Sequence, residues 1–554
     1  MKTVLAVIAA LLIGTSAFAR PECSPDGLNA MGVPGVTVTS TALVPAKGDT
    51  QAYCSVQATI VTHGEGAPDG SARIALQMPD AWKQRFFFMG VGGNAGTLVP
   101  AVNATDRALA LGKGYVTALT DTGHTGNGTD AGWVRTPDGQ RDEAKVADFF
   151  HRAAHIAAVS GKQFAQAYYA EPVQRAYFDG CSTGGRMAMM EAERYPTDFD
   201  GIIAGDPNMD YHATLQRFLV QKAAFASPAA WLSPPLLAAI DKAVTARCDA
   251  IDGATDGLVQ DPARCPIRAE DLLCRGGATT DCLNAEQAAV VRAYTTPLKD
   301  RHGKTVFPGW AMTNLTGARG MSYWTIGSTA PDLAKLDAPW GSDPTAPPRG
   351  WIFARQSLTS WLGLGADHPI AALDADPRTN TVGDELIALV DSTFGPAETK
   401  DPAKLLPFIK QGRKLIIYHG TSDPALPAAR SVQFYQELST LLKGRDKAAA
   451  SVRLFLVPGM QHCSGGIGPD QFDTISAIEA WVERGNPPES IPASTKAEEG
   501  LAQHRLPLCP YPRQARYAGS GATDEAPNWR CPEPERAPAI AATGKRHPQH
   551  AVKR

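Results

Sequence analysis

Short runs of apolar residues, each followed by a turn of glycine and polar residues, occur in two separate parts of the chain. Such runs, bounded by turn signals, are typical of strands buried on both faces of a sheet. Residues 186–192 are a good helix former and follow one of these turns. This order predicts an α/β fold, a mostly parallel sheet flanked by helices. The predicted strands are residues 85–89, 176–178, 414–418 and 452–457, and residues 199–207 give one more strand with its turn.

The stretch between these two parts has a different pattern of residues. It begins with a helical pattern at residues 234–244, opened by a proline pair, and later becomes irregular and rich in Trp, Pro and Gly. A chain of 554 residues is also too long for one simple core. We therefore predict a sheet domain in two parts, a large inserted lid domain and a disordered tail. The predicted boundaries are 20–206 and 402–531 for the sheet domain, 207–401 for the lid domain and 532–554 for the tail.

Residues 179–185, DGCSTGG, contain a G-x-S-x-G pattern between a predicted strand and a predicted helix. This is the setting of a nucleophile elbow, in which the serine hydroxyl stands above the sheet edge. Backbone N–H groups at the start of the helix then point at a developing negative charge. A Gly-Ser-Gly turn after a strand is often only a turn, so the pattern is moderately specific by itself. It makes Ser182 a candidate nucleophile.

An acid and a histidine follow this serine in the order that α/β-hydrolases require. Asp423 lies in the turn after the strand at 414–418, and His462 lies in the turn after the strand at 452–457. We predict His462 as the general base and Asp423 as the group that fixes its tautomer and stabilises its cation. Each residue alone also fits a simple turn or surface role. Three matches in the correct order favour a catalytic triad.

Cysteines flank this predicted triad. Cys181 precedes Ser182 and Cys463 follows His462, so a disulfide between them would tether the two catalytic loops. In the entropic model so long a closed loop stabilises by about 4–5 kcal/mol. The paired Cys-Ser and His-Cys motifs resemble those of the tannase and feruloyl esterase family, which also includes the hydrolase of mono(2-hydroxyethyl) terephthalate. The resemblance runs from about Cys23 to Cys531 and implies the α/β-hydrolase fold.

The start of the chain predicts export. Residues 1–19 carry one positive charge, a short apolar run and an Ala-Phe-Ala end, which is typical of a signal peptide. A membrane anchor is the alternative, but the run is short for spanning a bilayer. We expect a secreted or periplasmic protein with no membrane partner. A net charge of only −3 implies no nucleic-acid partner. The oligomeric state is left open.

The 10 cysteines are an even number, and export makes disulfides possible. A zinc cluster is the competing interpretation, but the sequence has no C-x-x-C pair. Proximity in sequence and the family resemblance together imply one pattern of pairing. The implied pairs are Cys23–Cys54, Cys181–Cys463, Cys248–Cys265, Cys274–Cys282 and Cys509–Cys531.

Residues 249–259 are a dense run of acids and glycines. Hard oxygen ligands suit Ca²⁺, but the spacing is not that of an EF-hand, and a plain Asp-Gly turn fits the residues equally well. The resemblance favours a structural calcium ion in the lid, with no organic cofactor. The ligands it implies are the side chains of Asp249, Asp252 and Asp256 and the carbonyls of Ala254 and Leu258.

A second glycine cluster, residues 90–96, follows the strand at 85–89. Its G-x-G-x-x-A spacing also fits a dinucleotide-binding turn, but no helix opens at once and an exported enzyme has little access to nicotinamide cofactors. In α/β-hydrolases such a loop donates one N–H to the oxyanion, and the residue after the nucleophile donates another. These would be Gly93, or Gly92 in its place, and Thr183.

The predicted lid is rich in aromatic residues, most of which we expect to form a small lid core while some cover the active site. An aromatic cover favours a flat acyl group. His419, on the same loop as Asp423, is expected to border the pocket. The aromatic residues are Trp310, Trp324, Trp340, Trp351, Trp361, Phe307, Tyr323 and Phe353, and the nearby arginines, which fit either a substrate anion or an ordinary surface ion pair, are Arg319, Arg349 and Arg355.

These features predict a secreted serine carboxylesterase that acts on small aromatic esters. Hydroxycinnamoyl esters such as ferulates come first, galloyl esters next and terephthalate monoesters third. Two alternatives from other classes are a non-catalytic, calcium-stabilised binding protein and a dinucleotide-dependent enzyme.

Overall fold

The structure is a computed structural model that describes residues 20–48, 50–102, 104–336, 338–365, 368–497 and 500–534. The predicted signal peptide, residues 1–19, and the predicted tail beyond residue 534 lie outside these described residues.

The strands follow the apolar runs of the sequence, and every strand predicted above is present. They are β1 Val36–Val44, β2 Tyr53–Thr62, β3 Gly70–Pro79, β4 Arg85–Met89, β5 Tyr115–Thr120, β6 Arg175–Cys181, β7 Gly201–Gly205, β8 Leu298–Lys299, β9 Thr305–Phe307, β10 Ala375–Asp376, β11 Thr381–Val382, β12 Lys414–Gly420, β13 Val452–Val457, β14 Gln471–Phe472, β15 Ile491–Ser494, β16 Arg505–Leu508, β17 Arg516–Tyr517 and β18 Trp529–Arg530.

The helices include both of those predicted, and α7 opens at the proline pair because proline suits the first helical position. They are α1 Pro25–Asn29, α2 Ala104–Gly112, α3 Glu143–Ala147, α4 Ala153–Tyr169, α5 Thr183–Arg194, α6 His212–Ala224, α7 Pro234–Cys248, α8 Ala285–Thr295, α9 Arg349–Gln356, α10 Asp384–Phe394, α11 Leu406–Lys410, α12 Ala428–Leu441, α13 Arg445–Ala449 and α14 Thr474–Arg484.

A nine-stranded sheet with the order β1-β2-β3-β5-β4-β6-β7-β12-β13 forms the centre of the molecule. The first three neighbouring pairs of this sheet, β1–β2, β2–β3 and β3–β5, are antiparallel. The other neighbouring pairs, from β5–β4 to β12–β13, are parallel. Helices α4 and α5 pack on this sheet, as does α14. Because helices cover the sheet, β7 is buried along its whole length, and β6 is buried except for Arg175 at its start.

The chain between β7 and β12 leaves the central sheet and returns to it. It carries helices α6 to α11 and a four-stranded sheet with the order β10-β11-β8-β9. Its aromatic residues pack on one another, as in the stacked rings of Tyr294 and Trp310, 5.2 Å apart. We call this stretch, residues 206–413, the inserted segment. Its role as a lid stays a prediction.

Five disulfides join the ten cysteines in the pairs implied by the family resemblance. Such a number is typical of proteins from oxidising compartments. In the described ranges, we find no helix that combines the length and the apolar character needed to cross a bilayer.

Candidate active site

Ser182 lies on a sharp turn between β6 and α5. Its backbone has φ 63° and ψ −122°, a left-handed conformation that is uncommon for a non-glycine residue. The turn is tight because a Cβ atom on Gly180 would lie 2.5 Å from the carbonyl oxygen of Gly184. Position 180 therefore requires glycine, and a Cβ atom on Gly184 would lie 3.0 Å from the carbonyl carbon of Gly90. The Ser182 hydroxyl makes no hydrogen bond to another described residue, which leaves it free for a reaction partner.

His462 and Asp423 form a buried pair. Nδ1 of His462 lies 2.7 Å from Oδ2 of Asp423, while Oδ1 of Asp423 accepts the N–H groups of Ala425 at 2.7 Å and Leu426 at 2.9 Å. Burial would raise the pKa of Asp423, but the His462 and His419 imidazoles outweigh it and hold this pKa below its usual range. Asp423 is therefore a fixed anion, able to orient His462 and stabilise its cation.

The Cys181–Cys463 disulfide brings the serine loop and the histidine loop together, with its two Cα atoms 5.9 Å apart. Asp206, at the end of β7, supports the same junction, because its carboxylate accepts the N–H of Cys463 at 2.5 Å and of Gly420 at 2.7 Å. Burial raises the pKa of Asp206 to about 6, against the opposing effect of His419. Sequence reasoning missed Asp206, although its position directly after a parallel strand was visible.

The proposed oxyanion donors lie beside Ser182. Gly93 has φ 61°, and a Cβ atom there would lie 2.0 Å from the carbonyl oxygen of Gly128. The Thr183 hydroxyl donates to the carbonyl oxygen of Gly93 at 2.7 Å and thereby joins the two loops. Among the described residues, no protein group accepts a hydrogen bond from the backbone N–H of Gly93 or of Thr183. Both donors are available, and Gly92 lines the same space.

His419 lies elsewhere than expected. Its ring is 1% exposed, with Nδ1 2.8 Å from the Ser431 hydroxyl and Nε2 3.0 Å from the Leu426 carbonyl oxygen. Nε2 also lies 3.4 Å from Oδ2 of Asp423. The structure therefore corrects the expectation that His419 borders the pocket, because the ring packs between the Asp423 loop and α12.

A cavity of about 1290 Å³ lies over Ser182 and His462. Trp324 of the inserted segment stands edge-on to the His462 ring, with centroids 5.0 Å apart. Of the aromatic residues considered from sequence, Tyr323, Trp324, Phe353 and Trp361 line the cavity. Trp310, Trp340, Trp351 and Phe307 pack instead with other rings of the inserted segment. Lining residues that sequence reasoning missed are Phe149, Tyr211 and Phe394.

Three arginines also line the cavity, namely Arg217, Arg319 and Arg349. Their guanidinium groups donate to neutral oxygens: Arg217 to the Ala425 carbonyl at 3.1 Å, Arg319 to a serine hydroxyl at 2.9 Å and Arg349 to the Tyr323 hydroxyl at 2.9 Å. In the described ranges, none of the three forms an ion pair with a carboxylate. Arg355 does not line the cavity and donates to the His368 carbonyl.

The acidic loop at residues 249–258 is the stretch for which the resemblance implies a calcium ion. Oδ2 of Asp252 and Oδ2 of Asp256 are buried and have no hydrogen-bond partner in the described structure. Burial, reinforced by the neighbouring carboxylates, raises the pKa of Asp252 to about 7. Asp249 accepts the N–H groups of Asp256 at 3.4 Å and of Gly257 at 2.9 Å, and the three aspartates are not among the described acidic clusters whose oxygens lie within 4.8 Å of one another. Binding of Ca²⁺ by these side chains and by the carbonyls of Ala254 and Leu258 stays a prediction. The ion would brace the loop, as the resemblance implies.

Curated relatives cover nearly the whole chain. A family model described as tannase and feruloyl esterase matches residues 54–532. An uncharacterized esterase of Xanthomonas campestris pv. campestris is 31% identical over 98% of this chain and 96% of its own. The mono(2-hydroxyethyl) terephthalate hydrolase of Piscinibacter sakaiensis is 31% identical over 87% of this chain and 85% of its own. A probable feruloyl esterase B-1 of Aspergillus flavus is 28% identical over 84% of both chains.

Solved structures agree on the fold. An esterase from Aspergillus oryzae superposes with a TM-score of 0.75 at 24% identity, covering 92% of this chain and 99% of that one. Feruloyl esterase B from the same organism gives 0.71 at 23% identity, covering 90% and 97%. These likenesses confirm the predicted fold of α/β-hydrolase type. With a family match over most of its length and esterases among its relatives, the chain belongs to the tannase and feruloyl esterase family.

Proposed function

We propose that this protein is an exported serine carboxylesterase that hydrolyses aromatic esters through an acyl-enzyme intermediate. One observation carries the proposal. Ser182 and His462 line the same aromatic cavity, and the ring of His462 is bonded to a buried Asp423 at 2.7 Å. A free hydroxyl, an oriented imidazole and a fixed anion are the parts that acyl transfer to serine needs.

The reaction begins when the Ser182 hydroxyl attacks the ester carbonyl while His462 takes its proton through Nε2. Asp423 holds the imidazole in the required tautomer and stabilises its cation. The N–H groups of Gly93 and Thr183 bind the oxyanion of the tetrahedral intermediate. His462 then protonates the leaving alcohol, and a water molecule activated by the same imidazole hydrolyses the acyl-enzyme.

The cavity favours a flat aromatic acyl group. Aromatic rings from both the sheet domain and the inserted segment surround it, among them Phe149, Trp324 and Phe353. Hydroxycinnamoyl esters such as ferulates are the first choice and galloyl esters the second. The inserted segment then acts as a lid that covers the bound ester and still admits the water molecule needed for deacylation.

Terephthalate monoesters are a second candidate class. Their ring carries a carboxylate opposite the ester, and three cavity arginines have no carboxylate partner in the described structure. A hydrogen bond between an arginine and a carboxylate contributes about 1.5–3 kcal/mol. The relative from Piscinibacter sakaiensis, named as a hydrolase of such a monoester, agrees with this class.

Kinetics on methyl ferulate, methyl gallate and mono(2-hydroxyethyl) terephthalate test the activity and rank the substrates. We expect hydrolysis of at least one of them, and we expect Ser182→Ala to lower kcat by several orders of magnitude while the melting temperature stays unchanged. A Ser182→Ala variant within tenfold of wild type refutes the nucleophile. Inertness of the wild type toward p-nitrophenyl esters and serine-directed phosphonates favours the binding-protein alternative, and a bound-cofactor absorbance favours the dinucleotide enzyme.

A further inference from the structure

His419 is a buried imidazole that the proposed mechanism does not use. It stands at the end of β12 between two buried carboxylates, with Nε2 3.4 Å from Oδ2 of Asp423 and 3.8 Å from Oδ1 of Asp206. The oxygen it approaches on Asp423 is the one that binds His462. Two imidazoles therefore share one carboxylate oxygen, one facing the cavity and one packed behind the catalytic loop.

The hydrogen bonds of His419 suit both of its protonation states. The Leu426 carbonyl can only accept, so Nε2 carries a proton and donates to it at 3.0 Å. Nδ1 meets the Ser431 hydroxyl at 2.8 Å. This hydroxyl can donate to Nδ1 of a neutral ring or accept from Nδ1 of a charged ring. His419 can thus gain or lose a proton without losing a hydrogen bond.

Charge balance favours the protonated ring. Asp206 and Asp423 are both buried, and leaving two carboxylates there without a cation is costly. Burial alone would lower the pKa of His419, but Asp206 and Asp423 raise it above its ordinary value. The other ionisable groups that act on Asp423 are His462 after β13, Arg217 of α6 and Tyr294 of α8. Among the described basic side chains, only His419 has a nitrogen within 4 Å of both carboxylates.

We propose that His419 is the counter-ion of the buried Asp206 and Asp423 carboxylates and, as a positioning residue, sets the basicity of His462. A charged His419 neutralises part of the Asp423 charge and so lowers the proton affinity of His462. It also holds the loop from Gly420 to Leu426 through the Leu426 carbonyl. This inference rests on the proposed esterase function.

The test is the pH profile of kcat/KM for His419→Gln, a neutral side chain that keeps a donor toward Leu426. The acid limb of this profile reports the essential base of the free enzyme. Without the cation, His462 binds its proton more tightly, and we expect the limb to move up by roughly 0.5–1 pH unit. An equal loss of activity at all pH values, or an unmoved limb, overturns the proposal.

Two further variants test whether the shift of the acid limb is specific to His419. Ser431→Ala removes the acceptor for a protonated Nδ1 and should move the limb in the same direction by a smaller amount. His155→Gln is the matched control, because His155 of α4 also pairs with an aspartate, Asp198, at 2.7 Å, but is partly exposed and does not line the cavity. Its limb should coincide with that of wild type. A shift as large as that of His419→Gln would show a general effect and overturn the assignment.

Nitrogen-15 NMR of histidine-labelled wild type gives a readout that needs neither folding of His419→Gln nor activity. We expect one imidazole, identified by its perturbation in Ser431→Ala, to keep both ring nitrogens protonated at pH 7. A neutral ring there overturns the proposal. If the wild type hydrolyses no ester, the proposed function fails, and this titration still decides the charge of His419.

Discussion

Each polar atom of Asp423 has a fixed partner, so this carboxylate has no freedom to rotate. Oδ1 accepts two backbone N–H groups of its own loop, and Oδ2 receives His462. Because these hydrogen bonds favour the charged form, burial does not protonate the Asp423 carboxylate. At the scale of single residues, catalysis here depends on an anion held in one orientation.

Asp423→Asn tests this orientation. The asparagine amide can still accept the loop N–H groups through its oxygen, but it presents an N–H to His462 and imposes the wrong tautomer. We expect kcat to fall about 10⁴-fold, as tautomer loss does in other triads. Steady-state hydrolysis measures the fall in kcat, and a thermal melt measures the stability of the variant. A drop of less than tenfold, or a matching collapse of the melt, contradicts the role.

Arg349→Ala tests the arginines of the cavity. This side chain donates to Tyr323 and stands 5.6 Å over its ring, open to a substrate carboxylate. Loss of a charge-assisted bond should raise KM for mono(2-hydroxyethyl) terephthalate about 10-fold or more and leave KM for methyl benzoate unchanged. Arg355→Ala, outside the cavity, is the control. Equal effects of Arg349→Ala on both esters speak against anion recognition.

At the scale of elements, the parallel strands place the catalytic residues at one edge of the sheet. The glycine loop follows β4, Ser182 follows β6, Asp206 follows β7, Asp423 follows β12 and His462 follows β13. Ligands of open α/β sheets bind outside the carboxyl ends of the strands. The site thus arises from strand order, and each reacting group needs only a short turn after a buried strand.

This arrangement explains what sequence could predict. A buried parallel strand is an apolar run, and the reacting residue stands next to it, so the elbow and both later loops were visible. Phe149, Tyr211 and Phe394 carry no motif, and they meet only after distant segments fold. His419 was placed on the correct loop, but the direction of its ring depends on burial beside Asp423, which spacing does not encode.

Gly93→Ala tests the oxyanion loop. A Cβ atom at this position would lie 2.0 Å from the Gly128 carbonyl oxygen, and a φ of 61° is unfavourable for alanine. The loop must therefore shift. Loss of one oxyanion donor costs about 10²–10³ in kcat. Gly139→Ala is the matched control, because Gly139 has φ 84° but no atom within 4 Å of its Cβ position. We expect this control to remain active. Comparable activity of both variants refutes the oxyanion assignment.

At the scale of the whole molecule, a disulfide joins the two catalytic loops that the inserted segment separates in sequence. Cys181 and Cys463 are 282 residues apart in sequence, and their bond closes the catalytic loops around the insertion. Replacing both by alanine should remove about 4–5 kcal/mol of stability and most of the activity. Replacing Cys274 and Cys282, only 8 apart, should cost about 2–3 kcal/mol and spare activity. Urea unfolding and hydrolysis rates distinguish the two, and equal activity losses contradict the tether.

The acidic loop at residues 249–258 packs against the active site. A Cβ atom on Gly459, three residues before His462, would lie 2.5 Å from the Leu258 side chain, so the acidic loop abuts the turn that carries the base. If Ca²⁺ holds Asp249, Asp252 and Asp256 together, its removal leaves their carboxylates to repel one another, and the loop loosens against this turn.

Chelation by EGTA should therefore lower the melting temperature, and readdition of Ca²⁺ should restore it. Asp252→Asn should reproduce part of the effect and weaken the response to EGTA, because Oδ2 of Asp252 has no other partner in the described structure. Asp343→Asn is the control, since Asp343 caps only its own exposed turn at Thr345. Elemental analysis of the purified protein gives the stoichiometry. A melt unchanged by EGTA, with no calcium found, would mean that the acidic loop is held by its backbone hydrogen bonds alone.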